Sequence, residues 1–421
     1  MKIFKFGGAS VKDAAGIKNV ADILDSFQNE KLLVVISAMG KSTNHLEKIV
    51  HACVHKTGET IKLLKELKKY HYDIVNELTG GNHAAMMNDI ENLFLELECL
   101  VETPFHSEEY DFIYDQIVAF GELISTKIVS HYLLIKGLKN QWIDSRNFII
   151  TDNRYRDARV LWSDTEQLIS KKLEPLAERN TVITQGFIGR GPVNETTTLG
   201  REGSDYSAAI FAYCLNAESV SIWKDVAGVM NADPKKMPDA TLIPHLGYSD
   251  AIELAYYGAS VIHPKTIQPL MAKNIPLFVK SFINPSQEGT QVSNNSQQLK
   301  KPCYIFKTDQ VLFELKTRDY TFIVEQNLEH IFRLLALYKV RCNIIQNSAI
   351  SFSFVADNKQ NPWEKLLAEF NQLGLTTSMK ESLELITIYN AKEGATDAVL
   401  KDKQIILEQI TGITSHFLIE A

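Results

Sequence analysis

Five consecutive apolar residues, Leu32-Leu-Val-Val-Ile36, constrain this chain more than any other stretch. A half-exposed strand alternates apolar and polar residues, so an uninterrupted run reads as a buried parallel strand. The residues before it agree. Lys2 to Phe6 reads as a short strand, Gly7-Gly8 as a tight turn, and Asp13 to about Phe27 as a helix. Strand, glycine turn, helix, strand is a βαβ unit. The glycine pair also lets backbone approach a ligand closely.

A second stretch carries more chemistry. In Gly200-Arg-Glu-Gly-Ser-Asp-Tyr206 two glycines bracket an arginine, and Tyr206-Ser-Ala-Ala-Ile-Phe-Ala-Tyr213 reads as a helix. Ser204 and Asp205 are both good helix-capping residues. A helix start suits a phosphate or carboxylate, and Arg201 adds a planar fork for either. Asp205 is out of place in a simple anion hole; a carboxylate there better holds a lysine or an ammonium group. By itself the stretch fits a capped helix after a glycine turn equally well.

Other segments extend the pattern. Ser37-Ala-Met-Gly40-Lys41-Ser42-Thr43 suggests a phosphate-binding P-loop, but Val35 stands where that motif needs glycine. The alternative is a loop of short hydroxyl donors at the carboxyl end of a strand, where open α/β sheets bind ligands. Residues 46 to 100 read as a charged helical lobe. His51 and His55 share one helix face there without an evident third ligand, which reads as a solvated face. Glu108 to Ile135 reads as a long helix in which Gly121 sits beside Glu122. That glycine marks either a close ligand approach or a helix–helix contact. Trp142 to Asp152 and Thr181 to Phe187 read as strands, with a helix over 163–177 between them. Ser219 to Trp223 reads as a strand leading into Lys224-Asp225, Met230, Asp233-Pro-Lys235-Lys236. That run fits a polyphosphate loop or an ordinary charged surface loop.

At 421 residues two or three domains are expected. Asn284 to Lys301, rich in Asn, Ser, Gln, Pro and Gly, reads as a boundary. Beyond it the order strand, helix, strand, strand, helix, strand is the split βαβ, ferredoxin-like unit. Ala391 to Ala421 adds a helix and a final strand at 415–419. The net charge of −7 argues against nucleic-acid or anionic-membrane surfaces. Five scattered cysteines without a CxxC pair fit reduced thiols in a cytoplasm. No leader is visible at Met1, and no apolar run approaches a membrane span.

Seven motifs in one order carry a resemblance. They are Lys5-Phe-Gly-Gly-Ala-Ser-Val11, Ser37-Ala-Met-Gly40, Phe120-Gly-Glu-Leu-Ile-Ser125, Thr184-Gln-Gly-Phe187, Thr198-Leu-Gly-Arg-Glu-Gly-Ser-Asp-Tyr206, Trp223-Lys-Asp-Val-Ala-Gly-Val229 and Gly258-Ala-Ser-Val-Ile-His-Pro264. Together they resemble the aspartate kinases of the amino-acid kinase family. The tail is similar to the paired ACT domains such kinases carry. The resemblance implies an α/β, amino-acid-kinase-type sandwich with a central, mostly parallel sheet and a helical lobe over residues 1–290. A linker at 291–304 and an α+β, ferredoxin-like (ACT-like) regulatory and dimerisation region at 305–421 would come after it, its second unit truncated.

It also implies ATP-dependent phosphorylation of the side-chain carboxylate of L-aspartate to 4-phospho-L-aspartate, the first step toward lysine, threonine and methionine. Alternatives are a related kinase acting on glutamate or N-acetylglutamate, and a non-catalytic amino-acid sensor. By analogy Lys5 would neutralise the transferring phosphoryl group, Gly7 and Gly8 (beside Phe6) would offer N–H groups to phosphates, and Asp205 would hold Lys5. Arg201 would grip the substrate α-carboxylate and Glu122 its ammonium, with Ser37, Thr43 and Ser204 adding hydrogen bonds. Lys224, Asp225 and Met230 would line the nucleotide, with Asp233 and Lys235 near its phosphates. Mg²⁺ would be held chiefly by ATP oxygens. Several positions depart from the family pattern. Ser260 stands where many members place a lysine, for which Lys265 is the substitute, and Glu202 where glycine is frequent. Asp319-Tyr-Thr-Phe-Ile-Val-Glu-Gln-Asn-Leu328 lacks the glycine of effector-binding ACT loops. Asn343 replaces an aspartate, and Ala349 a frequent glutamate. The tail is therefore expected to make a homodimer and to bind effector weakly or not at all.

Overall fold

The structure is a computed structural model describing residues 1–81, 84–103, 107–259, 262–294, 299–318, 321–358 and 363–420. It divides into two compact units, Met1–Val229 with Leu242–Ile252 and Ser260–Gln298, and Met230–Thr241 with Glu253–Ala259 and Leu299–Ala421.

In the first unit the strands are β1 (Lys2–Phe6), β2 (Leu32–Ile36), β3 (Asn140–Trp142), β4 (Thr181–Gln185), β5 (Ile188–Arg190), β6 (Thr196–Thr198), β7 (Ser219–Lys224), β8 (His245–Gly247), β9 (Leu277–Ser281) and β10 (Thr290–Ser293). Eight of them form one sheet in the order β3-β4-β2-β1-β7-β9-β10-β8, and β5 and β6 make a separate hairpin. Every pairing in the large sheet is parallel except β10 with β9. All five residues of β2 are buried, as an apolar strand between two helical layers requires. Strand β10 falls inside the stretch expected to begin the linker. Its Thr-Gln-Val-Ser sequence looks like a loop, yet pairing with β9 and β8 supplies its backbone partners.

The helices up to residue 272 are α1 (Ala14–Asp25), α2 (Ser42–Val54), α3 (Thr60–Thr79), α4 (Ala84–Glu102), α5 (Tyr110–Ile135), α6 (Trp162–Leu168), α7 (Glu174–Ala177), α8 (Gly203–Cys214), α9 (Tyr248–Tyr257), whose residues from Glu253 on belong to the second unit, and α10 (Pro264–Ala272). Helices α2 to α4 pack with α5 in one apolar core that includes Leu46, Ile49, Leu67, Phe94, Leu97 and Ile117. Helix α5 is long and apolar enough to cross a membrane, contrary to the expectation from the sequence, but 83% of its most apolar window is buried inside the protein. It is the core helix of this unit.

In the second unit the strands are β11 (Cys303–Thr317), β12 (Cys342–Asn347), β13 (Ser351–Asp357), β14 (Leu375–Tyr389), β15 (Ile405–Thr411) and β16 (Thr414–Glu420), with helices α11 (Glu325–Leu337), α12 (Trp363–Gln372) and α13 (Asp397–Leu400). They form one six-stranded sheet, β12-β13-β11-β14-β16-β15. The run β11-α11-β12-β13-α12-β14 is the ferredoxin-like order. Strand β15 is not expected from sequence: its Lys- and Gln-flanked residues have no strand periodicity, and antiparallel pairing with β16 decides its conformation. The β11–β14 ladder shifts register between Lys307 and Gln310 and again between Gln310 and Leu312. Asp309 and Ser382, one on each strand, adopt left-handed φ values of 56° and 58° there.

Candidate active site

The carboxyl ends of β1, β2 and β4 and the start of α8 surround a cavity of about 420 Å³. Its lining includes Lys5, Gly8, Ser37, Thr43, Glu122, Ser204 and Asp205. Close backbone packing builds this edge. A side chain on Gly8 would lie 2.6 Å from the Ala38 carbonyl, and one on Gly186 would lie 2.5 Å from Ser204 Cβ. These glycines are required because loops 7–11, 37–43 and 186–187 meet there with no room for a Cβ.

Asp205 is the electrostatic centre. It is buried, with Lys5 Nζ 2.5 Å from one oxygen and Lys224 Nζ 3.2 Å from the other. Burial alone would push its carboxyl up, but the two lysine charges outweigh burial and hold it below the usual carboxylate range. The capping role expected of Ser204 and Asp205 is not what is observed. Helix α8 begins at Gly203, with Glu202 preceding it in the left-handed region at φ 54°. Asp205 thus lies in the first turn with its carboxylate turned to the lysines.

Glu122 is delivered by α5. Gly121 lets that helix approach Ala38 and the start of α2, since a Cβ there would lie 3.0 Å from Ala38 Cβ and 3.1 Å from Leu46 Cδ1. Ser125, a turn later, donates to the Ser37 carbonyl at 2.7 Å. The Ala38 N–H donates to Glu122 Oε1 at 3.3 Å, while Oε2 is buried without a protein partner. Burial pushes the Glu122 carboxyl up to about 8, against the pull of the Ala38 N–H and the Lys5 charge.

Other expected residues lie elsewhere. Arg201 is exposed and outside the cavity lining, although its neighbours Gly200, Glu202 and Gly203 are part of it. Phe6 is buried in the core, stacked on Trp223, and Gly7 is partly exposed beside Lys5. Asp225 is exposed. Met230, Asp233 and Lys235 belong to the second unit, where the Lys235 N–H donates to Asp233 Oδ1 at 2.9 Å. Lys265 pairs with Asp157 and does not line the cavity. Ser260 lies outside the described residues. His51 and His55 are exposed, and among the described residues no three His, Cys, Asp or Glu side chains cluster as a metal site.

Sequence reasoning missed Asp115, a fully buried carboxylate on α5 that accepts hydrogen bonds from Thr198 and from the Arg156 backbone. Burial pushes it up to about 6 despite those bonds. The available signal was its spacing, two helical turns before Glu122 on the same face.

The family model described as "Amino acid kinase family" matches residues 1–281. The chain is 32% identical over 358 residues to lysine-sensitive aspartokinase 3 of Escherichia coli (strain K12), covering 84% of this chain and 78% of that protein. It is 34% identical over 294 residues to the chloroplastic bifunctional aspartokinase/homoserine dehydrogenase 2 of Arabidopsis thaliana, covering 68% of this chain. The chain spans only 32% of the length of that relative and of a similar bifunctional one from Zea mays. Among solved structures, E. coli aspartokinase III in complex with aspartate and ADP superposes with a TM-score of 0.83 at 28% identity, covering 100% of this chain and 96% of that one.

Proposed function

The chain belongs to the amino acid kinase family, in its aspartokinase branch, and we propose that it transfers the γ-phosphoryl group of ATP to the side-chain carboxylate of L-aspartate, giving 4-phospho-L-aspartate and ADP. The observation that carries this reading is the Lys5–Asp205–Lys224 cluster at a cavity that Glu122 also lines. The aspartate side chain, with an ordinary pKa near ~3.9, is already ionised at neutral pH, so attack needs no general base. The barrier is two anions meeting, and positioned cations lower it. A carboxylate oxygen forms the new bond to phosphorus as the bond from phosphorus to the β–γ bridging oxygen breaks.

In this reading Lys5 faces the transferring phosphoryl group and Asp205 keeps it oriented. Lys224 lies toward the nucleotide, as do Gly7 and Gly8. Glu122 Oε2 receives the substrate ammonium, Ser37, Thr43 and Ser204 add hydrogen bonds, and Arg201 turns inward to the α-carboxylate. Asp225, Met230, Asp233, Lys235, Ser260 and Lys265 remain proposed nucleotide contacts. Mg²⁺ rides on the nucleotide: the carboxylates lining the cavity around Lys5 are Asp205, already held by two lysines, Glu122 and the exposed Glu202, which do not fit a dedicated metal cage. Residues 1–290 act as the catalytic domain and 305–421 as a regulatory and dimerising one. Homodimerisation is supported by exposed apolar side chains there, Leu337 at 69% and Ile410 at 63%. The five scattered cysteines of the sequence, none in a CxxC pair, support a cytoplasmic setting.

The deciding assay supplies ATP and one amino acid and traps the acyl phosphate with hydroxylamine. Hydroxamate with aspartate, and far less with glutamate or N-acetylglutamate, is expected. Equal turnover of glutamate, or none of any acid, would overturn the assignment.

A further inference from the structure

We propose that Asp115 is a positioning residue for the acceptor site: its carboxylate sets the turn from Leu199 to Asp205 against Glu122, and so governs affinity and size selection for the amino-acid acceptor. This rests on the kinase reading above.

Asp115 and Glu122 project from the same face of one helix, seven residues and about 10.5 Å apart along its axis. Glu122 reaches the cavity. Asp115 reaches the chain that enters the cavity from the other side. Its Oδ1 accepts from Thr198 Oγ1 at 2.7 Å and its Oδ2 from the Thr198 N–H at 2.8 Å. The Arg156 N–H donates to both oxygens, at 3.1 and 3.0 Å. The Ala158 N–H donates in turn to the Thr198 carbonyl at 2.9 Å. The Arg156 guanidinium lies 3.1 Å from Asp111 and over the Tyr114 ring at 4.4 Å, and its charge also favours the ionised Asp115. One buried carboxylate therefore ties the loop at Arg156 and the end of β6 to α5.

Thr198 ends β6, and the connection from it to α8 is short and bent. Gly200 has φ 76° and Glu202 φ 54°, and α8 begins at Gly203. Only this turn separates the Asp115 anchor from Ser204 and Asp205 in the cavity. Any slip at Thr198 is carried directly into the spacing between the turn and Glu122. Aspartate and glutamate differ by one methylene, so that spacing is what discriminates them. Discrimination by a methylene is worth roughly 10–200-fold.

Asp115→Asn keeps the volume but sets an NH₂ donor against backbone donors. Thr198→Val removes one hydroxyl donor at constant shape, and Thr198→Ser restores it. Steady-state kinetics with aspartate, glutamate and ATP, beside thermal unfolding, read the result. In Asp115→Asn the KM for aspartate should rise about tenfold or more and the aspartate-over-glutamate ratio in kcat/KM should fall about tenfold. The KM for ATP should stay within twofold. Thr198→Val should move the same way by less, and Thr198→Ser should return to the parent. A folded Asp115→Asn with parental KM and parental ratio would overturn the proposal, as would parallel losses for aspartate and ATP. If Asp115→Asn fails to fold, Thr198→Val decides by the same criteria. A parent enzyme inactive on both amino acids would instead overturn the kinase reading itself.

Discussion

Glu122 is where pH enters this site. Its carboxyl is pushed up to about 8 in the folded chain, from an ordinary value of 4.5, because burial disfavours the charged form. A folded-state pKa above the unfolded one contributes stability fully below pH 4.5, and that contribution is lost as pH rises through about 8. Glu122→Gln should therefore flatten the decline of Tm between those limits, and a parental slope in the variant would remove this account. An ammonium group meeting Oε2 must favour the carboxylate, so aspartate binding at pH 7 should release close to one proton. Titration calorimetry in two buffers of different ionisation enthalpy measures that number. At Lys5 the expectation concerns catalysis: Lys5→Ala should lower kcat by about 10²–10³-fold, with Lys224 still paired to Asp205 and the fold retained. Parental turnover would dismiss the role. Much of this was legible at the residue level. A carboxylate in a glycine-bracketed helix start called for a lysine, and Lys5 and Lys224 meet it. Asp115 was not legible, because a lone acid in an apolar helix shows its purpose only when distant loops arrive at it.

Among the elements, the first turn of α8 is closely built against the loop after β4. Gly186 faces Ser204 so closely that a methyl group would overlap both Ser204 Cβ and Cα, at 2.5 and 2.6 Å. Gly186→Ala should cost roughly 1–3 kcal/mol by overpacking and raise the KM for aspartate by moving Ser204. Urea unfolding with unchanged midpoint and m-value would contradict it. The βαβ opening and the long α5 could be read from periodicity alone, and they are present as β1, α1, β2 and Tyr110–Ile135. Strands β10 and β15 could not be read so. Strand β10 is polar, and β15, though rich in isoleucine, lacks strict alternation, so pairing with a neighbour decides both. The start of α8 differs from the expected one for a related reason: Asp205 resembles a cap in sequence, but its carboxylate is engaged by charges from β1 and β7.

For the whole molecule the open question is control. Asn343 accepts from Lys307 Nζ at 2.7 Å and donates to Gln310 at 2.7 Å and Asp357 at 2.9 Å. A side chain so fully engaged has little left to offer a free amino acid. Titrating the intact enzyme with lysine and with threonine should give no saturable heat below the millimolar range, and micromolar binding would refute this. The same unit carries a historical constraint. The surplus residue in β11 turns Tyr304 and Phe306 to the same side as Val311, Phe313 and Leu315, and the surplus in β14 keeps the partner strand in step. Deleting a single codon for either would leave half of the apolar side chains facing the wrong way. Lineages of this chain should therefore gain or lose length at the two positions together, or at neither.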